Sequence, residues 1–226
     1  MFYTERILAD TVLKRESYVY YNIFKRIFDF VIASFLLVLL FPFLILISIV
    51  IYFETGSTPI FAQQRGMTME GKEFRLYKFR TLKKTKTACK ESTHIFLKDD
   101  LSGLVTFTGY ILRKTGLDEL PQLMNVLFGE MSLIGPRPLS LSDLHIMKEI
   151  EPVLYNRRGT FKSKPGISGY WQIYGDRQKG VLNLIELEGF YDRNRSLSMD
   201  LFLIFMTIPI VFFAKHSDAI IGRNKE

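Results

Sequence analysis

The hydrophobic pattern divides the chain unevenly. Phe30 to Phe53 is a run of 24 residues without a charged side chain, with only Ser34 and Ser48 clearly polar. A run of that length predicts a membrane helix. It is too long for a core helix of a small domain. It also starts too late, and lacks the small-residue cleavage site, for a secretory signal peptide. Pro42 lies at its middle, where the ring removes a backbone hydrogen bond and kinks a helix. Basic residues stand on both flanks, among them Arg6, Lys14, Arg15, Lys25 and Arg26 before the run and Arg65, Lys72, Arg75, Lys78 and Arg80 after it. Neither flank wins the positive-inside comparison, which favours a hairpin that returns to the cytoplasmic side, although a straight span stays open on this ground.

The rest of the chain changes period. Pro59 to Leu82 predicts a β-hairpin, with a turn at Glu70-Gly71 and alternation through Phe74-Arg75-Leu76-Tyr77. Residues 83–100 are polar and lysine-bearing, as in a surface excursion. Asp118 to Phe128 predicts a helix with Leu120, Leu123, Met124 and Leu127 on one face. Pro121 fits only its first turn, which places Asp118 and Glu119 at the helix start. Ser140 to about Arg158 predicts a second helix interrupted near Pro152, residues 164–169 a tight loop, and 182–195 an amphipathic helix. Leu201 to Ala214 is a second apolar run, short for a span and better suited to an interfacial helix. The expected fold is α+β and mostly helical. An N-terminal arm and membrane helix hairpin occupy 1–55, and a membrane-associated catalytic domain with a C-terminal interfacial helix occupies 56–226.

Length and composition narrow the partners. The 226 residues suffice for one domain with a core. Thirty Lys and Arg against 23 Asp and Glu give a formal charge of +7. That balance points to anionic partners, either lipid headgroups or phosphorylated metabolites. No nucleic-acid-binding motif is present, so nucleic acid is not expected. Cys89 is the only cysteine, so no intrachain disulfide forms. Many of the 20 phenylalanines fall within 28–53 and 202–213, again indicating a membrane.

Candidate chemistry centres on Asp118-Glu119. Neighbouring helical side chains differ by about 100° around the axis and can address one site. Taken alone, two acids at a helix start equally serve the helix dipole. The context is more specific: Gly135-Pro136-Arg137-Pro138 follows, and an Arg between two prolines sits on a stiff backbone suited to a bidentate grip on phosphate. Lys78, Arg80, Arg157, Arg158 and Lys164 are each ordinary surface charges when taken singly. With Arg137 they could neutralise a diphosphate. Trp171-Gln172 could stack on a base and hydrogen-bond it, or Trp171 could equally be a core residue. His94, His145 and His216 show no metal spacing.

These segments together resemble a known family. Lys25-Arg26-Ile27-Phe28-Asp29, Gln64-Arg65-Gly66, Lys78-Phe79-Arg80-Thr81, Asp118-Glu119-Leu120-Pro121-Gln122-Leu123, Gly129 to Pro138 and Lys164-Pro165-Gly166-Ile167 stand in the order and rough spacing of bacterial sugar transferases. These are monotopic polyprenyl-phosphate phosphoglycosyl transferases. The resemblance covers about residues 24–207. It implies transfer of a sugar 1-phosphate from a UDP-sugar to polyprenyl (undecaprenyl) phosphate at the bacterial inner membrane, from the cytoplasmic face. It implies Asp118 as nucleophile, Glu119 as the residue associated with Mg2+, and a re-entrant membrane helix broken near Pro42. Two departures stand out. Leu101-Ser102-Gly103 follows Asp99-Asp100 where the family usually has Pro-Arg, and Tyr174-Gly175-Asp176-Arg177 stands where Asn-Gly-Arg is common. The alternatives are a membrane-bound phosphohydrolase of nucleotide sugars and a non-catalytic scaffold for glycan assembly. The sugar and the oligomeric state, a homodimer included, stay open.

Overall fold

A computed structural model describes residues 2–66, 72–83 and 103–212. The predicted turn at Glu70-Gly71, nearly all of the 83–100 excursion, the Asp99–Ser102 departure and the end of the apolar run at Ala214 lie outside the described residues. The expected mostly helical α+β architecture with a small sheet is present.

Helix α1 runs Phe2–Thr55 and continues through Pro42 as one helical element. The break expected there does not divide it. A proline interrupts one backbone bond, and the rest of the ladder can carry the helix past it. Little of the apolar stretch is covered: only 11% of its most apolar window is buried. The helix nonetheless touches the remainder of the chain on both sides of Pro42. Phe28, Ile32, Ala33 and Leu36 pack with Phe74, Leu76, Leu123 and Val126. Leu44, Ile47 and Ile51 pack with Phe79 and Leu112. Between these seats Val38, Leu39 and Phe41 are 78%, 60% and 60% exposed.

The β-hairpin forms as the alternation requires. β1 (Ile60–Gly66) pairs antiparallel with β2 (Glu73–Phe79), with Ile60 opposite Phe79 and Gly66 opposite Glu73. Phe74 and Leu76 point into the core while Glu73 and Arg75 face outward. The short β4 (Leu139–Ser140) pairs with β1, which leaves β2 at the sheet's edge.

The predicted helix over 118–128 forms in two parts. Leu117–Gln122 is a 3-10 turn, and α3 proper is Leu123–Phe128. A 3-10 turn advances 120° per residue rather than 100°, so the predicted face carries through only in part: Leu120, Leu123 and Leu127 pack into one core. Val126 joins Leu123 among the buried apolar positions, and Met124 faces outward. Asn125 is fully buried. Its Nδ2 donates to Arg75 O at 2.6 Å and to Glu130 at 2.7 Å, and its Oδ1 accepts from Tyr77 N at 3.2 Å. That side chain fixes α3 against β2.

Beyond it, β3 (Ser132–Ile134) runs parallel to β5 (Gly166–Ser168), so part of the expected 164–169 loop is strand. Helices α4 (Leu141–Ile150) and α5 (Pro152–Gly159) meet at the interruption predicted near Pro152, and Ser140 caps α4 with a capping box to Asp143. Helix α6 (Tyr170–Tyr174) and α7 (Gly180–Asn194) close a second core around Met147, Phe161, Trp171, Leu184 and Ile185. The last apolar run is α8 (Leu197–Phe212), with Phe202 and Phe205 exposed. Together with α1 and with Phe107 and Tyr110 of α2 (Phe107–Thr115), it leaves an apolar surface far larger than water-soluble monomers carry.

Candidate active site

Asp118 and Glu119 are placed by the turn that precedes them. Gly116, at φ 77°, ends α2 in the left-handed region and starts the 3-10 turn, whose Glu119 N–H donates to Gly116 O at 3.1 Å. Both carboxylates are largely buried, at 8% and 7% exposure. Lys78, reaching from β2, donates from Nζ to Glu119 Oε1 at 2.5 Å. A charge-assisted contact at low exposure is among the stronger single polar interactions available to a side chain.

Glu119 and Lys78 share a small pocket with Arg65, Gln122, Arg137 and Gln172. Asp118 is not on that pocket's wall and lies buried beside it. Arg65 is held by Pro138 O at 3.2 Å and Gln63 Oε1 at 2.7 Å. Gln172 turns an Oε1 that is buried without a hydrogen bond among the described residues.

Arg137 has the most elaborate support. Its backbone N–H donates to Glu188 Oε1 at 2.6 Å, and its carbonyl accepts from Arg158 Nη2 at 2.5 Å. Arg158 and Glu188 form a buried ion pair with each other. Burial pushes the Glu188 carboxyl above its ordinary range while Arg158 pulls it back. The Arg137 guanidinium lies over the Trp171 ring, 5.6 Å from its centroid. The loop carrying Arg137 also crosses the 164–166 segment at backbone contact: a Cβ on Gly135 would fall 2.1 Å from Lys164 O, and one on Gly166 would fall 2.1 Å from Gly135 N. Only glycine at both positions allows that crossing.

The structure thus brings together Glu119, Lys78, Arg137 and Gln172 of the expected set, with Asp118 adjoining. It does not bring the others to the pocket. Arg80 is held by Thr58, donating to its carbonyl at 2.8 Å, and lies over Phe61. Arg157 is exposed on α5. Arg158 was expected to meet substrate, yet it is 3% exposed and committed to Glu188, behind Arg137. Trp171, at 2% exposure, sits in the second core and cannot stack on a base; it is the floor under Arg137. Lys164 donates to Gly129 O at 2.7 Å and lines a different cavity. Sequence reasoning missed Arg65, Gln122 and Glu188. Arg65 and Gln122 stood inside motifs already singled out. Glu188 carried only a weak signal, an acid within the amphipathic helix.

Magnesium suits this pocket in one respect. No group of three or more His, Cys, Asp or Glu among the described residues could encircle a metal. Magnesium, however, takes one or two carboxylates and fills its shell with phosphate and water, and Glu119 supplies a hard oxygen beside cations suited to phosphate.

Residues 20–214 match the model of the bacterial sugar transferase family. The chain is 35% identical over 209 residues to "Exopolysaccharide production protein ExoY" of Sinorhizobium fredii, covering 87% of this chain and 88% of that one. It is 38% identical over 193 residues to "Uncharacterized sugar transferase EpsL" of Bacillus subtilis, covering 85% and 89%. It is also 35% identical over 193 residues to the "UDP-glucose:undecaprenyl-phosphate glucose-1-phosphate transferase" of Klebsiella pneumoniae, covering 82% of this chain but 39% of that longer protein. With the matched region running through α1, the carboxylate turn and the Arg137 loop, this chain is an enzyme of the bacterial sugar transferase family.

Proposed function

We propose that this enzyme moves a sugar 1-phosphate from a UDP-sugar to polyprenyl phosphate, releasing UMP and leaving a polyprenyl-diphosphate sugar that begins a surface glycan. The observation that carries this reading is the Glu119–Lys78 pair in one pocket with Arg65 and Arg137, beside the buried Asp118. Such a site offers carboxylates for attack and coordination, with fixed cations for a diphosphate. The names of similar proteins point the same way: one acts on UDP-glucose and undecaprenyl phosphate, and another is an "Undecaprenyl-phosphate galactose phosphotransferase" of Salmonella typhimurium.

In the proposed mechanism an Asp118 carboxylate oxygen attacks the sugar-bearing phosphorus. The bond from that phosphorus to the UMP oxygen breaks, and UMP leaves with the electron pair. A polyprenyl phosphate oxygen then attacks the same phosphorus and expels Asp118 as carboxylate. Two bulky anions use one site in turn, which gives ping-pong kinetics. Arg137 grips a phosphate with its fork, and the Arg158–Glu188 pair keeps that fork still. Lys78 orients Glu119. Gln172 Oε1 accepts a hydrogen bond from the donor. Glu119 would hold Mg2+, which would supply neutralising charge to the phosphates.

The acceptor is a membrane lipid, and α1 supplies the reason the site meets it. We place its apolar face in the bilayer, with the seats at 28–36 and 44–51 returning to one cytoplasmic domain and the exposed residues around Pro42 deepest. This reading keeps the re-entrant arrangement for a helix that continues through Pro42. Impermeant thiol labelling of a cysteine placed at position 3, with Cys89 replaced, tests the topology in intact cells; labelling from outside overturns it.

The function itself is tested with donor alone. Wild-type enzyme incubated with a panel of UDP-sugars should release one equivalent of UMP and gain one sugar-phosphate mass on Asp118. A hydrolase would instead turn over without lipid and yield free sugar phosphate, and a dependence of turnover on polyprenyl phosphate excludes it.

A further inference from the structure

A second cavity lies away from the carboxylate turn, between the Tyr21–Asp29 stretch of α1 and the 162–164 loop, and holds about 230 Å³. It shares no lining residue with the Glu119 pocket. Lys25, Arg26, Lys162, Lys164 and Arg195 line it, and Asp29 is the only carboxylate on its walls among the described residues. Asp29 is already engaged, accepting from Ser132 Oγ at 2.7 Å and from Leu133 N at 3.3 Å. Behind the walls, Asp200 takes Lys25 at 2.8 Å, and Asp192 takes Arg195 at 3.2 Å along with the Lys162 and Ser163 amides. Among the described residues, five cations therefore face three carboxylates, which leaves an excess of positive charge around an open space.

Helix capping explains part of this cluster. Arg26 donates to the carbonyls of Val126 and Leu127, and Lys164 to that of Gly129, all at the C-terminal end of α3. Capping does not explain Lys162, whose ammonium makes no ion pair among the described residues, nor why the cations surround a void rather than pack against acids. Lys164 is held below the usual lysine range by burial first and by Arg26 second, while Asp29 pulls it back.

Its depth is equally telling. Asp29 is the last charged residue before Glu54, and Phe30 and Val31, at 49% and 56% exposure, open the apolar run directly after it.

We propose that this cavity holds the phosphate of a bilayer phospholipid, seated by Lys162, Lys164 and Arg26 with its acyl chains along the exposed face of α1. The site fixes the depth of the enzyme in the membrane. It rests on the membrane placement of α1 and not on the catalytic roles of Asp118 or Arg137.

The test uses the full chain purified in a non-ionic detergent, its unfolding midpoint followed with dihexanoylphosphatidylglycerol or with inorganic phosphate. The phospholipid at tenfold over its Kd should raise the midpoint by about 3 °C. Arg137→Ala should keep that rise, because the catalytic pocket is not its source. Lys162→Ala with Lys164→Met should lose at least half of it, and Lys162→Glu alone, at an exposed side chain, should also reduce it. Native mass spectrometry should show one retained phospholipid on the wild type and markedly less on the double variant. An equal rise with inorganic phosphate would assign the cavity to a free anion and overturn the lipid assignment. No rise, or an equal rise in Lys162→Glu, would overturn the site altogether.

Discussion

The two cation-lined pockets of this enzyme are built on opposite plans. Around Glu119, every cation has a rigid seat: Lys78 is on the carboxylate, Arg65 on Pro138 O, and Arg137 hangs from a loop clamped by Arg158 and Glu188. In the cavity beside α1, the cations outnumber their acids and the polar network lies behind the walls, where Tyr21, Lys25 and Tyr191 converge on Asp200. The first plan suits a pocket whose ligands change during each turnover, since it contributes fixed dipoles that need not reorganise. The second suits a ligand that stays.

The comparison breaks most severely at Asp118. Asp118→Asn should lower turnover by on the order of a thousandfold or more while leaving no adduct in the intact mass, because the amide is a poor nucleophile. Full activity in that variant, or intersecting rather than parallel double-reciprocal plots, would remove the covalent mechanism. Chelation should stop wild-type turnover nearly as completely, with Mg2+ restoring it; persistence of full rates in chelator would remove the metal from the reading.

Glu188→Ala separates support from contact. It leaves Arg158 buried without its acid and should cost about 3 kcal/mol in urea unfolding. It should also lower kcat, since Arg137 loses its backbone anchor. Stability unchanged within error would mean that the clamp is not formed in solution. Arg137→Lys keeps the charge and loses the fork, so kcat/KM should fall by a factor of about 10 to 100, equivalent to about 1.5–3 kcal/mol. The smallest effect belongs to the other pocket. Tyr21→Phe removes one 2.8 Å bond to Asp200 and should cost about 1 kcal/mol of stability. A loss of turnover as large as that of Arg137→Lys would show that the two pockets are not independent.

How much of this could be read in the sequence follows from how local each signal is. The hairpin, the break at Pro152 and the placement of Asp118 and Glu119 depend on residues within a few positions of one another. Alternation, a ring without an N–H and a proline confined to a first turn suffice for them. The fate of the cations did not follow the same way. Arg157 and Arg158 are neighbours with the same charge, yet one is exposed and the other is buried on an acid 30 positions along. Trp171 beside a glycine reads equally well as a base platform or a core residue, and only the packing of α7 decides. Lys164 follows from its motif, but the crossing of Gly135 and Gly166 turns it away from the catalytic side. Of the face expected over 118–128, Leu120, Leu123 and Leu127 pack into the first core and Met124 does not, because a 3-10 turn and an α-helix cannot be told apart by composition.

Asn125 has one more consequence. β2 is an edge strand, and an edge strand offers unpaired N–H and C=O groups on which another chain can polymerise. The carboxamide of Asn125 occupies the Tyr77 N–H and the Arg75 carbonyl together, as a peptide unit of a neighbouring strand would. One side chain thus ends the sheet. It denies incoming polypeptide a template next to the lysine that holds Glu119.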